Sequence, residues 1–134
     1  MGSDFVDAFD LGDGRYCTVV ADLAGKGLSA ARQVALVRNQ LRFALYTAAD
    51  LGRDGALAAA VGRLNGVLAR HALLADFVTL FVGVWDDAAS TLTYVNAGQE
   101  PGLIWRAASG EVEMLAPTGP VLGVIEEVEE VEEG

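Results

Sequence analysis

The first 24 residues alternate between apolar and polar positions, a pattern that predicts β-strands with one buried face. The alternation runs through DFVDAFDLGDGRYCTVVAD and is interrupted at Leu11-Gly12-Asp13-Gly14, where two glycines favour a tight turn. The sequence therefore predicts two antiparallel strands joined by a hairpin.

A helical period replaces the alternation between residues 28 and 74. Neither Gly nor Pro occurs over 28–49, which predicts a first helix whose apolar face contains Val34, Val37, Leu41, Leu45 and Ala48. A second helix is predicted over 54–74, with Asp54 as its N-cap and an apolar stripe of Leu57, Val61, Leu64, Leu68 and His71. We expect the helices to pack side by side on one face of the sheet and to bury Val34, Leu41, Leu45, Leu57, Val61 and Leu64.

Strand patterns return after Asp76. The β-branched and aromatic run FVTLFVGVW is followed by the turn DDAAST and the return strand LTYVNAG. GLIWRA, the turn ASG and EVEML then indicate a further hairpin. The predicted order is ββααββββ, an α+β domain with mostly antiparallel pairing rather than a doubly wound sheet.

Composition supports one folded domain and narrows the classes of partner. The 134 residues are 52% hydrophobic, which is enough to bury a core. A formal charge of −10 disfavours nucleic acid and anionic membranes, and no apolar run is long enough to span a bilayer. We therefore expect a cytoplasmic protein with no nucleic-acid or membrane partner.

The only cysteine, Cys17, lies in the apolar strand YCTVV. A single cysteine excludes a disulfide framework and a cysteine-based zinc site. A nucleophilic thiol would need a base nearby, and the only histidine, His71, lies on a predicted helix. A small buried thiol is the preferred interpretation.

The segment VVADLAGKGLSAAR predicts a strand that ends in Asp22, a glycine turn and the start of a helix. Its GKGLSA matches the loose dinucleotide pattern G-x-G-x-x-A, but a second helix follows where a Rossmann unit needs a parallel strand. The Walker pattern fails because Val20 stands at the position that it requires for its first Gly. Asp22 would repel a phosphate and attract a cation.

Further carboxylates lie on the first predicted strand, at Asp4, Asp7 and Asp10. If the hairpin closes at the Gly-Asp-Gly turn, residues near position 4 pair with residues near Asp22, with opposed Cβ atoms about 5 Å apart. Two such acids repel each other unless a cation lies between them, and Mg²⁺ or Mn²⁺ prefers oxygen ligands. The alternative is that these acids form the solvent face of an edge strand.

Five segments resemble motifs of the bacterial metal-dependent Ser/Thr phosphatases of the stage II sporulation protein E and RsbU type, a branch of the type 2C (PPM) superfamily. In order, they are GSDFVDAFDLGDGRY, VVADLAGKGLSAAR, FVTLFVGVWD, LTYVNAGQEPGLI and TGPVLGV, and they span residues 2–124. The resemblance implies an antiparallel β-sandwich flanked by helices. It also implies hydrolysis of phosphoserine or phosphothreonine on a protein.

The resemblance assigns roles to three residues. It implies that Asp4 is a metal ligand, that Asp22 bridges two Mn²⁺ or Mg²⁺ ions, and that the main-chain carbonyl of Leu23 helps to bind one ion. Asp22 would be the catalytic carboxylate, because the cations that it holds activate water and neutralise the phosphoryl oxygens. The implied substrate is a phosphorylated regulatory protein of the anti-sigma-factor antagonist type.

Three motif positions depart from the family pattern: Ser3, Val6 and Gln99 replace its Gly, Tyr and His. None of these is a family metal ligand, so we interpret the changes as effects on packing or loop polarity. The family sequences continue past the G-PLGV motif to further acids of the metal site, whereas no Asp follows Asp87 here.

We therefore expect residues 1–125 to be a partial phosphatase domain and residues 126–134 a solvated acidic tail. Such a chain would hold at most one weak cation site and have little activity alone. Two hypotheses stay open: a phosphatase domain present as a fragment or shortened copy, and a non-catalytic regulatory or interaction module with a degenerate metal site. Missing strands would also leave an unpaired sheet edge through which two copies could associate.

Overall fold

The fold is given by a computed structural model that describes residues 2–24, 30–47, 55–70 and 77–118. Its strands and helices follow one another in the predicted order, ββααββββ. Their bounds are β1 Gly2–Gly12, β2 Arg15–Ala24, α1 Ala30–Thr47, α2 Ala56–Arg70, β3 Phe77–Asp86, β4 Thr91–Ala97, β5 Gly102–Trp105 and β6 Val112–Leu115.

The β1–β2 hairpin turns where the glycines predict it. Gly12, Asp13 and Gly14 all have positive φ, at 85°, 56° and 74°, which glycine adopts without steric cost and Asp tolerates. The Asp10 carboxylate accepts a 2.7 Å hydrogen bond from the Gly12 N–H and fixes the entry to the turn. This turn sets the register of the whole hairpin.

Strands β1 to β4 form one antiparallel sheet in the order β1-β2-β3-β4, and β5 pairs with β6 in a separate two-stranded sheet. The two helices connect β2 to β3, whose ends meet because Ala24 pairs with Phe77. The α+β antiparallel architecture predicted from the sequence is confirmed.

The helix pair covers one face of the four-stranded sheet. Five of the six side chains expected in this interface are buried, namely Leu41, Leu45, Leu57, Val61 and Leu64, and Val34 is half-buried against the core. From the sheet, Val19, Leu80, Val82 and Val95 complete the core. Ala48, Asp54, His71 and the side chain of Leu68 lie outside the described residues.

Alternate residues of the same strands point to the opposite face of the sheet, called here the outer face. The β5–β6 hairpin packs against part of it, where the rings of Phe81 and Tyr94 stack with centroids 5.5 Å apart. Val6 and Val20 remain 77% and 45% exposed on this face. The outer face is therefore only partly covered by the described residues.

Cys17 is 1% exposed, and burial raises the pKa of its thiol to about 12. This burial confirms the prediction of a small buried thiol, and the raised pKa disfavours the nucleophilic thiolate at neutral pH. Among the described residues, no helix is long and apolar enough to span a membrane.

Candidate metal site

Two carboxylates lie in direct register on adjacent strands. Asp4 of β1 pairs with Asp22 of β2, as the predicted hairpin required. Both side chains are exposed on the outer face, near the end of the sheet where β2 leads toward α1. Asp22 lies two residues before the end of β2, slightly inside the strand end at which the sequence placed it.

The electrostatics of this pair favour a cation. A hydrogen bond with the Asp4 carboxyl raises the pKa of Asp22, and partial desolvation and the Asp4 charge raise it further. Two opposed carboxylates on neighbouring strands destabilise a sheet when both are ionised. A divalent cation between them would remove that repulsion and lower the pKa again.

Leu23 is anchored between the carboxylate pair and the core. Its side chain is fully buried, and its backbone pairs with Ser3 of β1 and Val78 of β3. The Asp22–Leu23 peptide is therefore held from both sides. The structure brings together Asp4, Asp22 and the Leu23 backbone, the three residues that the resemblance assigned to metal.

The other acids of β1 do not join this pair. Asp7 points to the helix side of the sheet, where its carboxylate accepts hydrogen bonds of 2.6 and 2.7 Å from the guanidinium of Arg42 on α1. Arg42 lowers the pKa of Asp7 through these bonds. Asp10 lies on the outer face but at the turn end, paired with Tyr16.

A polar network continues the site onto β3 and the loop after β4. Thr79 pairs with Asp22, and its hydroxyl donates a long 3.4 Å hydrogen bond to the Asp22 carbonyl. Gln99 donates in turn to the Thr79 hydroxyl at 2.9 Å. Sequence analysis singled out Gln99 only as a departure from a family motif and missed Thr79, because their proximity depends on pairing between β2, β3 and β4.

The donor set fits a hard divalent cation. Mg²⁺ and Mn²⁺ take one or two carboxylates, accept carbonyl oxygens and keep several waters. Within the described ranges, no group of three or more His, Cys, Asp and Glu side chains converges on one point. The described part of the chain thus provides a pair of acids and not a closed protein cage.

Comparison with known proteins identifies the family. The sequence profile of the SpoIIE family, described as Stage II sporulation protein E, matches residues 12–133. Protein IcfG of Synechocystis sp. (strain ATCC 27184 / PCC 6803 / Kazusa) is 32% identical over 146 residues, covering 93% of this chain and 23% of that protein. Both matches extend over most of the chain.

Two solved structures share the fold. The structure of the RsbU and RsbW domains of Rv1364c from Mycobacterium tuberculosis has a TM-score of 0.76 at 24% identity, covering 100% of this chain and 36% of that one. The PP2C phosphatase domain of SpoIIE from Bacillus subtilis, solved with a fragment of its regulatory domain, has a TM-score of 0.75 at 20% identity, covering 98% and 36%. The chain therefore spans about a third of these solved chains and 23% of IcfG. Together these findings show that the chain belongs to the SpoIIE family and shares the fold of the RsbU-containing and SpoIIE PP2C structures.

Proposed function

We propose that this chain serves the metal-dependent hydrolysis of phosphoserine or phosphothreonine on a bacterial signalling protein, with Asp4, Asp22 and the Leu23 carbonyl holding Mn²⁺ or Mg²⁺. The observation that carries the proposal is the direct register of Asp4 and Asp22 on adjacent strands. Membership of the SpoIIE family, together with the fold shared with the SpoIIE PP2C phosphatase domain, supports the reaction class and the use of a divalent cation in general.

The chain's own residues have separate tasks in this proposal. The two carboxylates bind the cation and hold it at the end of the sheet. The buried Leu23 side chain anchors the strand next to them, and its main-chain carbonyl is the proposed third ligand. When bound, the cation lowers the pKa of water and neutralises charge on the phosphoryl oxygens.

The substrate proposal follows the family resemblance. We propose a phosphorylated regulatory protein of the anti-sigma-factor antagonist type. The site is exposed on the outer face of the sheet, which suits a phosphorylated side chain presented by another protein.

A second candidate is a non-catalytic regulatory or interaction module that binds a cation weakly. The observation that favours it is the absence of a third acid beside Asp4 and Asp22 in the described residues. Two-metal catalysis holds its ions about 3.5 to 4 Å apart, which requires more ligands than one pair of acids provides. We therefore expect the 134-residue chain alone to turn over slowly or not at all.

The test is Mn²⁺-dependent binding and hydrolysis of a phosphoserine peptide, with the unphosphorylated peptide as reference. Asp22→Asn should abolish both. Asp10→Asn is the matched control, since it removes an exposed acid from the same face and keeps the oxygen that accepts from Gly12.

Each outcome separates the candidates. Mn²⁺-dependent preference for the phosphopeptide with slow turnover supports the phosphatase proposal and the low activity of this chain. Fast turnover that needs Asp22 supports the phosphatase proposal and contradicts the low activity. Mn²⁺ binding without any preference for the phosphopeptide contradicts the phosphatase proposal and favours the non-catalytic module.

A further inference from the structure

A directed chain of hydrogen bonds ends beside the carboxylate pair. Gln99 Nε2 donates to the Thr79 hydroxyl at 2.9 Å and lies 3.4 Å from the Thr79 carbonyl, and the Thr79 hydroxyl donates to the Asp22 carbonyl at 3.4 Å. The proposed function assigns no role to either Thr79 or Gln99.

The acceptor atoms fix the direction of these hydrogen bonds. A backbone carbonyl only accepts, so the Gln99 group that faces the Thr79 carbonyl is its NH₂. The Thr79 hydroxyl accepts from that NH₂ and gives its own hydrogen to the Asp22 carbonyl. The hydroxyl hydrogen therefore does not occupy the Asp22 carboxylate, which stays available to a cation.

The loop that carries Gln99 is held firmly by Asn96. The Asn96 side chain is fully buried, accepts from the Gln99 N–H at 2.9 Å and donates to the Glu100 carbonyl at 3.2 Å. Two bonds with Thr118, of 2.7 and 2.9 Å, fix the Asn96 backbone. The buried, hydrogen-bonded Asn96 therefore holds Gln99 beside Thr79.

We propose that Thr79 and Gln99 are positioning residues for the cation site, an inference that rests on the proposed function. The Asp22–Leu23 peptide joins two of the proposed ligands, the Asp22 carboxylate and the Leu23 carbonyl. Thr79 holds that peptide by its Asp22 oxygen, and Gln99 holds the Thr79 rotamer. Strand pairing also restrains this peptide, so the loss of either contact removes one of several restraints on the relative position of the two ligands and weakens cation binding without removing a ligand.

The experiment is calorimetric titration of Mn²⁺ into the 134-residue chain and four variants. Thr79→Val removes the hydroxyl at nearly constant shape, Gln99→Met removes the amide at similar length, and Thr79→Ser restores the hydroxyl. Thr18→Val is the matched control, because Thr18 is an exposed threonine on the same face of the same sheet. Circular dichroism and thermal melting establish that each variant is folded.

Supporting residues around a metal typically change its affinity by about 10- to 100-fold, and the long Thr79 bond places the expected loss near the lower end, about tenfold for Thr79→Val. Gln99→Met should weaken binding in the same direction and by less. Thr79→Ser and Thr18→Val should bind Mn²⁺ as the unmodified chain does. Amide exchange at Leu23 in the metal-free protein should accelerate in Thr79→Val alone of the three threonine variants.

Two results would overturn the inference and differ from failure of the proposed function. If the unmodified chain binds Mn²⁺ and both Thr79→Val and Gln99→Met bind it equally well, the positioning role is contradicted and the proposed function is not. Equal losses in Thr79→Val and Thr18→Val also contradict it, since they indicate a general effect on the sheet. An unmodified chain without any Mn²⁺ binding contradicts the proposed function itself.

Discussion

The direct opposition of Asp4 and Asp22 destabilises the folded state in the absence of a cation, because two carboxylates of like charge on neighbouring strands repel each other. A pKa that is higher in the folded than in the unfolded chain makes the folded state less stable as pH rises through that range. The raised pKa of Asp22 therefore predicts a loss of metal-free stability just above the ordinary carboxyl range.

Asp4→Asn tests this repulsion. It should return the Asp22 pKa toward its ordinary value and flatten the pH dependence of unfolding above that range, since the neutral amide carries no charge. Carboxyl NMR titration of Asp22 and metal-free melting curves across pH 3 to 7 measure the two effects. An Asp22 pKa that stays raised in Asp4→Asn would contradict the assigned cause.

The Asp7–Arg42 ion pair has the opposite effect on how the stability of the fold depends on pH. Arg42 lowers the pKa of Asp7, so the pair stabilises the fold above the ordinary carboxyl pKa and loses its effect as pH falls through the lowered value. The Arg42 side chain is 38% exposed, which screens the pair and limits its contribution.

Asp7→Asn should therefore lower the melting temperature by a few degrees at pH 7 and by progressively less as the pH falls through the acidic range. Thermal melting at several pH values measures the difference from the unmodified chain. A difference that stays constant with pH would indicate lost packing instead of a lost ion pair.

At this scale the sequence predicts the Asp4–Asp22 pairing, since counting outward from a glycine turn fixes a hairpin register. The sequence did not predict that Asp7 lies on the opposite face of the sheet from that pair. Asp7 occupies a core-facing position of β1, where Arg42 from α1 is the main group that stabilises its carboxylate. The contacts of Gln99 with Thr79 and of Thr79 with Asp22 could not be predicted, because they depend on pairing between β2, β3 and β4.

At the scale of elements, the helix pair derives its stability from an apolar face packed on the sheet. Leu45→Ala, which leaves a cavity in this interface, should lower the free energy of unfolding by about 2 to 5 kcal/mol. Phe43→Ala on the same helix should change it by less than about 0.5 kcal/mol, because Phe43 is 68% exposed. Urea titration of both variants measures the contrast, and equal losses would contradict the packing described.

The order and type of the elements could be predicted because an element that buries only one face has a clear period of apolar residues in its sequence. The period of Leu41, Leu45, Leu57, Val61 and Leu64 matches a face that is buried, and β1 and β2 alternate because one face of each points away from the core. Val34, at the N-terminal end of α1, is only half-buried.

At the scale of the whole molecule, β1 lies at an edge of the four-stranded sheet formed by the described strands, and its Val6 side chain is 77% exposed. Exposed apolar edges promote strand pairing between copies. The predicted homodimer should therefore appear as concentration-dependent association in sedimentation velocity.

Val6→Lys should suppress that association, because a charged residue on an edge strand opposes pairing. Val112→Lys is its control, placing the same charge on another exposed valine, on β6. A chain that stays monomeric at every concentration would contradict the dimer. Equal suppression by both variants would contradict the assignment to the β1 edge.

The central claim is that Asp4 and Asp22 together bind one divalent cation, and Mn²⁺ titration by calorimetry tests it most directly. The unmodified chain should show saturable binding at a single site, and Asp10→Asn should bind equally well. Asp4→Asn and Asp22→Asn should each weaken binding by at least about tenfold, because each removes a ligand rather than a supporting contact. No saturable binding in the unmodified chain, or binding in either variant that equals the Asp10→Asn control, would contradict the claim.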